Sequence, residues 1–350
     1  MVKRLTIKDI AKECNVSIAT VSNVLNGKGK AGSETREKIL EAVQRTGYKP
    51  NGVAKGLRSS KSRLIGIIAE DISHFSVPPI VEGIMNHLES AGYRGILINL
   101  RLYQRFHDSW FEKEELIWPV REDAIEDLRS MMVDGIIYVA VHARKTSAFP
   151  KDFSIPAVMA YAMEVNPAIP TVLPDDVMSA YLAVKQLIEN GHRSIGIIAG
   201  YKNNQHSIWR ISGIQKAFDE AGLTLEPEHL IYAGWEREEG YEAMEKLSAQ
   251  KDITAVFCMS DRLAGGVYEY LDECGLRVGK DLSVIGFDGQ QLSEFLTPPL
   301  STMELPLGRI GEEAASICID EIENGPSGDS AQTVKFPCSF LSRESVRKLE

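Results

Sequence analysis

The run Ile65-Gly-Ile-Ile-Ala69 returns unchanged as Ile195-Gly-Ile-Ile-Ala199. Each copy is an apolar run of the length of a buried strand. Each is followed by a loop and a helix pattern that stops at Ala-Gly, at Ala91-Gly92 and at Ala221-Gly222. Strand, helix and strand then follow in both halves. Arg94–Leu100 and Gly135–Val141 continue the first copy, and His229–Ala233 and Ala255–Met259 the second. Continuous apolar strands alternating with helices require parallel sheets covered on both faces. The repeat therefore predicts an α/β body of two doubly wound lobes with a cleft between them, and ligands of such sheets sit beyond the carboxyl ends of the strands.

A different pattern precedes this body. Ile7, Ile10, Ala11 and Cys14 recur at i, i+3, i+4 and i+7, one apolar helix stripe. After a break at Asn15-Val16, Ser17 stands where an N-cap would, its hydroxyl able to accept an orphan backbone N–H. Val21, Val24 and Leu25 turn the second helix inward, which leaves Ile18, Ala19, Ser22, Asn23 and Asn26 outside. Two short helices joined tightly, the second with a small uncharged outer face, form a helix-turn-helix that can enter a major groove. A third helix begins near Ser33 and ends at Gly47, with Ile39, Leu40 and Val43 expected to close the core. Pro50 ends the unit. Asn51 to Leu57 reads as a short helix, too short to be stable alone, and Arg58 to Arg63 as a linker.

Charge separates the two parts. Residues 1–63 hold 14 Lys+Arg against 5 Asp+Glu, and residues 64–350 hold 25 against 44. A basic head on an acidic body suits a phosphate-binding module attached to something that avoids nucleic acid. A chain of 350 residues exceeds one ordinary core. No run approaches the roughly 18 apolar residues of a membrane span. The start leads into charged helix and not into a signal segment, so a cytoplasmic protein without membrane attachment is expected. Cys14, Cys258, Cys274, Cys318 and Cys338 are scattered, as reduced thiols are. The 7 histidines are dispersed, and G-x-S-x-G, G-x-x-x-x-G-K-[ST] and H-E-x-x-H are absent. No enzyme, metal or cofactor is expected.

Thr6-Ile-Lys-Asp-Ile-Ala11, Val16-Ser-Ile-Ala-Thr-Val-Ser-Asn-Val-Leu-Asn-Gly27, Thr35-Arg-Glu-Lys-Ile-Leu40, Gly47-Tyr-Lys-Pro-Asn51 and Val53-Ala-Lys-Gly-Leu57 together resemble the lactose/galactose-repressor (LacI/GalR) family of bacterial transcription regulators. The resemblance implies a helix-turn-helix head (residues 1–49), a hinge helix and linker (50–63) and a periplasmic-binding-protein-like body. It implies lobes at 64–165 with 291–325 and at 166–290 with 326–350, the chain crossing near Val165, Gln290 and Gly325. By position, Ile18, Ala19 and Asn23 would face base edges, and Ser17, Thr20 and Ser22 would contact phosphate or sugar. Thr6, Asn26, Tyr48 and Asn51 belong to the same surface. Asn23, where many members carry Arg, can pair with adenine. Val53, Ala54 and Leu57 match the hinge that presses an apolar wedge into the minor groove, which implies a homodimer on a near-palindromic operator.

For the cleft, the resemblance implies Arg210, Trp235 and Asp261 as effector contacts, with Asp288 and Phe75 as further candidates. A guanidinium and a carboxylate pair with ligand hydroxyls or amides, and an indole covers an apolar ring face. Such a set suits a sugar or a nucleobase. The sequence departs from the family at Ser76 and Val77, where an aromatic pair is usual, and at Leu173-Pro-Asp-Asp176, where Asp-Asn is usual. The aromatic stretch Arg101–Arg121 is longer than the family norm and reads either as a lid or as a packed surface insertion. The chain is read as a ligand-responsive repressor with a small-molecule effector, a sugar or sugar derivative. The alternatives are a purine-like ligand, a protein corepressor, and, from other classes, a sugar receptor or an enzyme on the same scaffold.

Overall fold

The computed structural model describes residues 5–25, 31–48, 61–107, 114–250, 252–325 and 332–349. They form two units, Met1–Arg63 and Leu64–Glu350. In the first unit α1 (Ile7–Cys14) opens on a capping box in which Thr6 and Asp9 satisfy each other's end of the turn. It stops at Asn15, whose left-handed backbone (φ 54) makes the tight turn. Helix α2 (Ile18–Leu25) starts where Thr20 N donates to Ser17 Oγ at 3.0 Å, as a serine cap requires. Helix α3 (Ser33–Thr46) ends at Gly47 with φ 63. Ile10, Ala11, Cys14, Val21, Val24, Ile39 and Ala42 make the core. Leu40 is not part of it and is 45% exposed. On a helix the neighbour of Ile39 points about a quarter-turn away, and the inward position three residues on falls on Ala42.

The second unit contains β1 (Leu64–Ala69), α4 (Val77–Ser90), β2 (Arg94–Asn99), α5 (Leu102–Phe106), α6 (Glu114–Ser130), β3 (Gly135–Val139), β4 (Lys145–Thr146), β5 (Ala157–Ala160), β6 (Met163–Glu164) and β7 (Thr171–Pro174). There follow α7 (Asp176–Glu189), β8 (Ile195–Ala199), α8 (Gln205–Glu220), β9 (Leu230–Tyr232), α9 (Arg237–Leu247), β10 (Ala255–Cys258), α10 (Asp261–Glu273), β11 (Ser283–Asp288), α11 (Leu292–Phe295), β12 (Ser301–Glu304), α12 (Leu307–Asn324), β13 (Thr333–Phe336) and β14 (Ser339–Leu341). One sheet runs β13-β7-β5-β3-β1-β2 and the other β14-β12-β11-β10-β8-β9. The two echo runs are β1 and β8, the same place in each sheet, each flanked by parallel neighbours. Their side chains are buried on both faces, as the unbroken apolar runs require.

The crossings between lobes lie elsewhere than the resemblance implied. Strand β7 pairs with β5 and β13, so the first lobe extends to Pro174 and not to Val165. Strand β12 pairs with β11, which moves the second crossing from Gln290 to Leu305-Pro306. Strand β13 belongs to the first sheet and β14 to the second, which moves the third crossing from Gly325 to Pro337-Cys338. The first lobe is therefore Leu64–Pro174 with Leu307–Phe336. Four-residue strands between prolines look like loops, and only their pairing assigns them to a sheet.

Candidate effector cleft

All strand ends that were expected to face a ligand surround one cavity of about 1060 Å³ between the lobes. Its first-lobe wall is built on the loop after β1. Asp71 braces that loop, accepting from Ser73 N at 3.0 Å and, through its other oxygen, from Tyr103 N at 3.0 Å. Tyr103 stands on α5, and its hydroxyl meets His142 Nε2 at 2.9 Å. His74 stacks on Tyr103 with ring centres 6.1 Å apart and meets His142 edge-on at 5.0 Å. Phe75 completes the wall. Burial, reinforced by the charge of Arg262, pushes His74 down to about 4, and burial beside His74 also pushes His142 down. Both imidazoles are thus neutral near pH 7, so this part of the wall is aromatic and uncharged, while Arg144 and Lys145 line the cavity from the same lobe.

Beneath it lies a buried ion-pair network. Arg144 donates to both oxygens of Glu70 at 2.6 and 3.1 Å. Burial would raise the Glu70 carboxyl, but the charge and hydrogen bonds of Arg144 more than offset it. Arg121, fully buried on α6, reaches Tyr138, Glu114 and Thr146. The aromatic stretch 101–121 is accordingly neither only a lid nor only a surface insertion. Tyr103 lines the cavity, Phe106 packs on the core, and residues from Glu114 onward begin the crossover helix between β2 and β3. Trp110 and Phe111 lie outside the described residues.

The second-lobe wall is charged as well. Arg210 sits in the second turn of α8, only 2% exposed. Its Nε donates to Asp176 Oδ1 at 2.7 Å and its Nη1 to the Met259 carbonyl at 2.5 Å. Its plane lies 3.5 Å over the Phe287 ring, with Trp235 at 5.9 Å. The Trp235 indole occupies the space over Gly200 that a Cβ there would need, which fixes the ring at the end of β8. Asp288 ends β11 with φ 108, a conformation that a non-glycine residue holds only under constraint. Gln290 Nε2 donates to its Oδ2 at 3.0 Å. Burial pushes the Asp288 carboxyl up to about 7, against the pull of Arg210.

Of the expected effector residues, Phe75, Arg210, Trp235 and Asp288 are brought together on the cavity. Asp261 is not. It is fully buried, and its oxygens accept from Thr302 Oγ1 at 2.5 Å and Gln290 N at 2.6 Å. It positions Gln290, which does line the cavity. At the departures, Ser76 and Val77 are buried as the chain enters α4, so His74, Phe75 and Tyr103 supply the aromatic wall instead. Asp176 and His206 were not anticipated as site residues. His206 and Arg210 are four apart, one turn of a helix, and that spacing was the available signal. No group of three or more metal-ligating side chains occurs among the described residues.

In the head, Ser17, Ile18, Ala19 and Asn23 are exposed, and Thr20 and Ser22 are half-buried along the same helix. The Ser17 and Thr20 hydroxyls lie 2.9 Å apart. Thr6 is exposed at the start of α1 and Tyr48 is half-buried. Asn26, Asn51, Val53, Ala54 and Leu57, and with them the expected hinge helix, lie outside the described residues. Among the described residues no helix is long and apolar enough to cross a membrane.

Comparison with known proteins adds findings of three kinds. The family model for bacterial regulatory proteins of the lacI family matches residues 6–51, and that for a periplasmic binding protein-like domain matches residues 184–346. The HTH-type transcriptional repressor PurR of Haemophilus influenzae (strain PittEE) is 33% identical over 350 residues, covering 98% of this chain and 99% of the relative. Catabolite control protein A of Priestia megaterium is 32% identical over 346 residues, with 98% and 99% covered. In fold, the chain is similar to the Lac repressor dimer bound to operator and the anti-inducer ONPF, with a TM-score of 0.79 at 22% identity over 99% of this chain and 100% of that one.

Proposed function

This chain belongs to the lacI family of bacterial regulatory proteins, the DNA-binding transcriptional repressors, and from that premise we propose that its hold on an operator is set by a small polar ring bound in the cleft. The observation that carries this reading is that the Arg210 guanidinium (pinned by Asp176), the Asp288 carboxyl and the Trp235 indole all line one cavity. Together they match hydroxyls on the edge of a sugar and the apolar face of its ring. The effector is read as a sugar or sugar derivative. A flat heteroaromatic ligand is the second reading, favoured by π surfaces on both walls, His74 and Tyr103 facing from one lobe and Trp235 from the other. Two copies of the chain would hold a near-palindromic operator through their heads, and Ile18, Ala19 and Asn23 would read base edges. Occupancy shifts operator affinity by the difference in effector affinity between two lobe arrangements.

A thermal-shift panel of sugars, sugar phosphates, nucleosides and purines tests the reading. A ligand of the native state at a hundredfold its dissociation constant adds about 2.7 kcal/mol and raises the melting temperature. The expected hit disappears in Arg210→Ala and Trp235→Ala, each read against its own baseline, and changes operator binding in the wild type. A panel without hits, or hits that survive both substitutions, overturns it.

A further inference from the structure

Arg210 is held from behind. Its Nε donates to Asp176 Oδ1 at 2.7 Å, and the other oxygen of that carboxylate meets His206 Nδ1 at 2.9 Å. His206 Nε2 accepts from the Ala143 N–H at 3.0 Å. An N–H can only donate, so Nε2 carries no proton and Nδ1–H points at Asp176. Arg210, Asp176 and His206 stand on α7 and α8 of the second lobe, whereas Ala143 follows β3 in the first. Three hydrogen bonds thus run from the cleft guanidinium to the backbone of the opposite wall, through residues that are all buried. Asp176 also stands two residues beyond the end of β7, where the chain first crosses between the lobes.

We propose that Asp176 and His206 form a latch between the lobes, through which the occupancy of Arg210 regulates lobe closure. The proposal rests on the cleft being the effector site. Ala143 is 2% exposed, and a buried N–H left without a partner costs on the order of 1–3 kcal/mol. Separating the walls removes its acceptor, so the latch favours the closed arrangement. One carboxylate serves both Arg210 and His206. A ligand that accepts from Arg210 competes with Asp176 for the guanidinium and leaves more of the carboxylate's charge to His206, which firms the bond to the opposite wall. Asp176 and His206 are therefore positioning residues, and reciprocity requires that breaking the latch also change how tightly Arg210 holds a ligand.

Two near-isosteric substitutions separate the ends of the latch. In His206→Asn the amide replaces Nδ1 and keeps Asp176 but no longer reaches Ala143. In His206→Gln the amide oxygen reaches the place of Nε2 and keeps Ala143. Spin labels on the exposed native Cys274 and on Glu89→Cys report the lobe separation in the full-length, ligand-free protein, diluted with unlabelled chain. His206→Asn is expected to move the distance distribution outward and broaden it, and to change ligand-free operator affinity by about fivefold or more. His206→Gln is expected to keep the wild-type distribution. Circular dichroism and melting confirm that each variant is folded, and Asp176→Asn gives a second opening variant should His206→Asn not fold. Distributions of the opening variants that superimpose on wild type overturn the latch and leave the effector reading standing, because the thermal-shift panel tests that reading separately. His206→Gln opening as far as His206→Asn overturns it equally.

Discussion

Asp288 and His74 face one cavity and titrate in opposite senses. The folded protein holds the Asp288 proton up to about 7, above the ordinary aspartate value of 3.8. This contribution to stability is fully present below that value and is lost as pH rises through 7. Asp288→Asn is therefore expected to melt above wild type at pH 8 and level with it near pH 4, the difference being at most about 4 kcal/mol. For His74 the folded value of about 4 lies below the ordinary imidazole value of 6.5. Its contribution is present above 6.5 and is lost as pH falls through 4. His74→Gln should flatten the acid limb of a denaturation series between these values, and an unchanged limb would show that the imidazole is not buried as described. At this scale, motif position in the sequence pointed to Arg210, Trp235 and Asp288, which the fold places on one cavity. It could not place Asp261 behind the cavity, because a strand-end carboxylate looks the same whether it faces a ligand or accepts from Thr302 and Gln290.

Elements are positioned by caps and close crossings. Ser17 holds the first turn of α2 through Thr20 N, so Ser17→Ala should lower the stability of the head by about 1 kcal/mol in chemical denaturation. In the body, α7 and α8 cross at Gly213, where an added Cβ would run into the Val177 carbonyl. Backbone cannot rotate aside as a side chain does. Gly213→Ala is expected to cost about 1–3 kcal/mol and to weaken ligand binding, since α7 carries Asp176 and α8 carries Arg210. Ligand affinity unchanged in that variant would show that the site tolerates a shift of its two supporting helices. The helices and central strands were legible because their apolar periods are long. The short strands β7, β12 and β13, at or next to the sheet edges, were not, because four residues carry too little pattern to separate a strand from a loop.

Over the whole molecule, the basic head and acidic body predict how binding to DNA responds to salt. With 14 cationic residues in the first 63, most affinity comes from phosphate contacts, and the logarithm of affinity should fall linearly with the logarithm of salt. A loss on the order of 10³-fold between 50 and 200 mM is expected in a filter-binding or anisotropy titration, and a flat response would count against a phosphate-driven head.

Local pattern alone determined the helix-turn-helix, the two doubly wound lobes and the place of a cleft. Those follow from hydrophobic period, capping residues and strand ends, which neighbours in the chain specify. Which side chains share that cleft was a tertiary matter. Asp176, His206 and Ala143 lie 30 or more residues apart in sequence and meet only because α7 packs on α8 and the two lobes face each other. Hydrogen bonds at that separation leave no periodic trace, so only the folded chain brings them together.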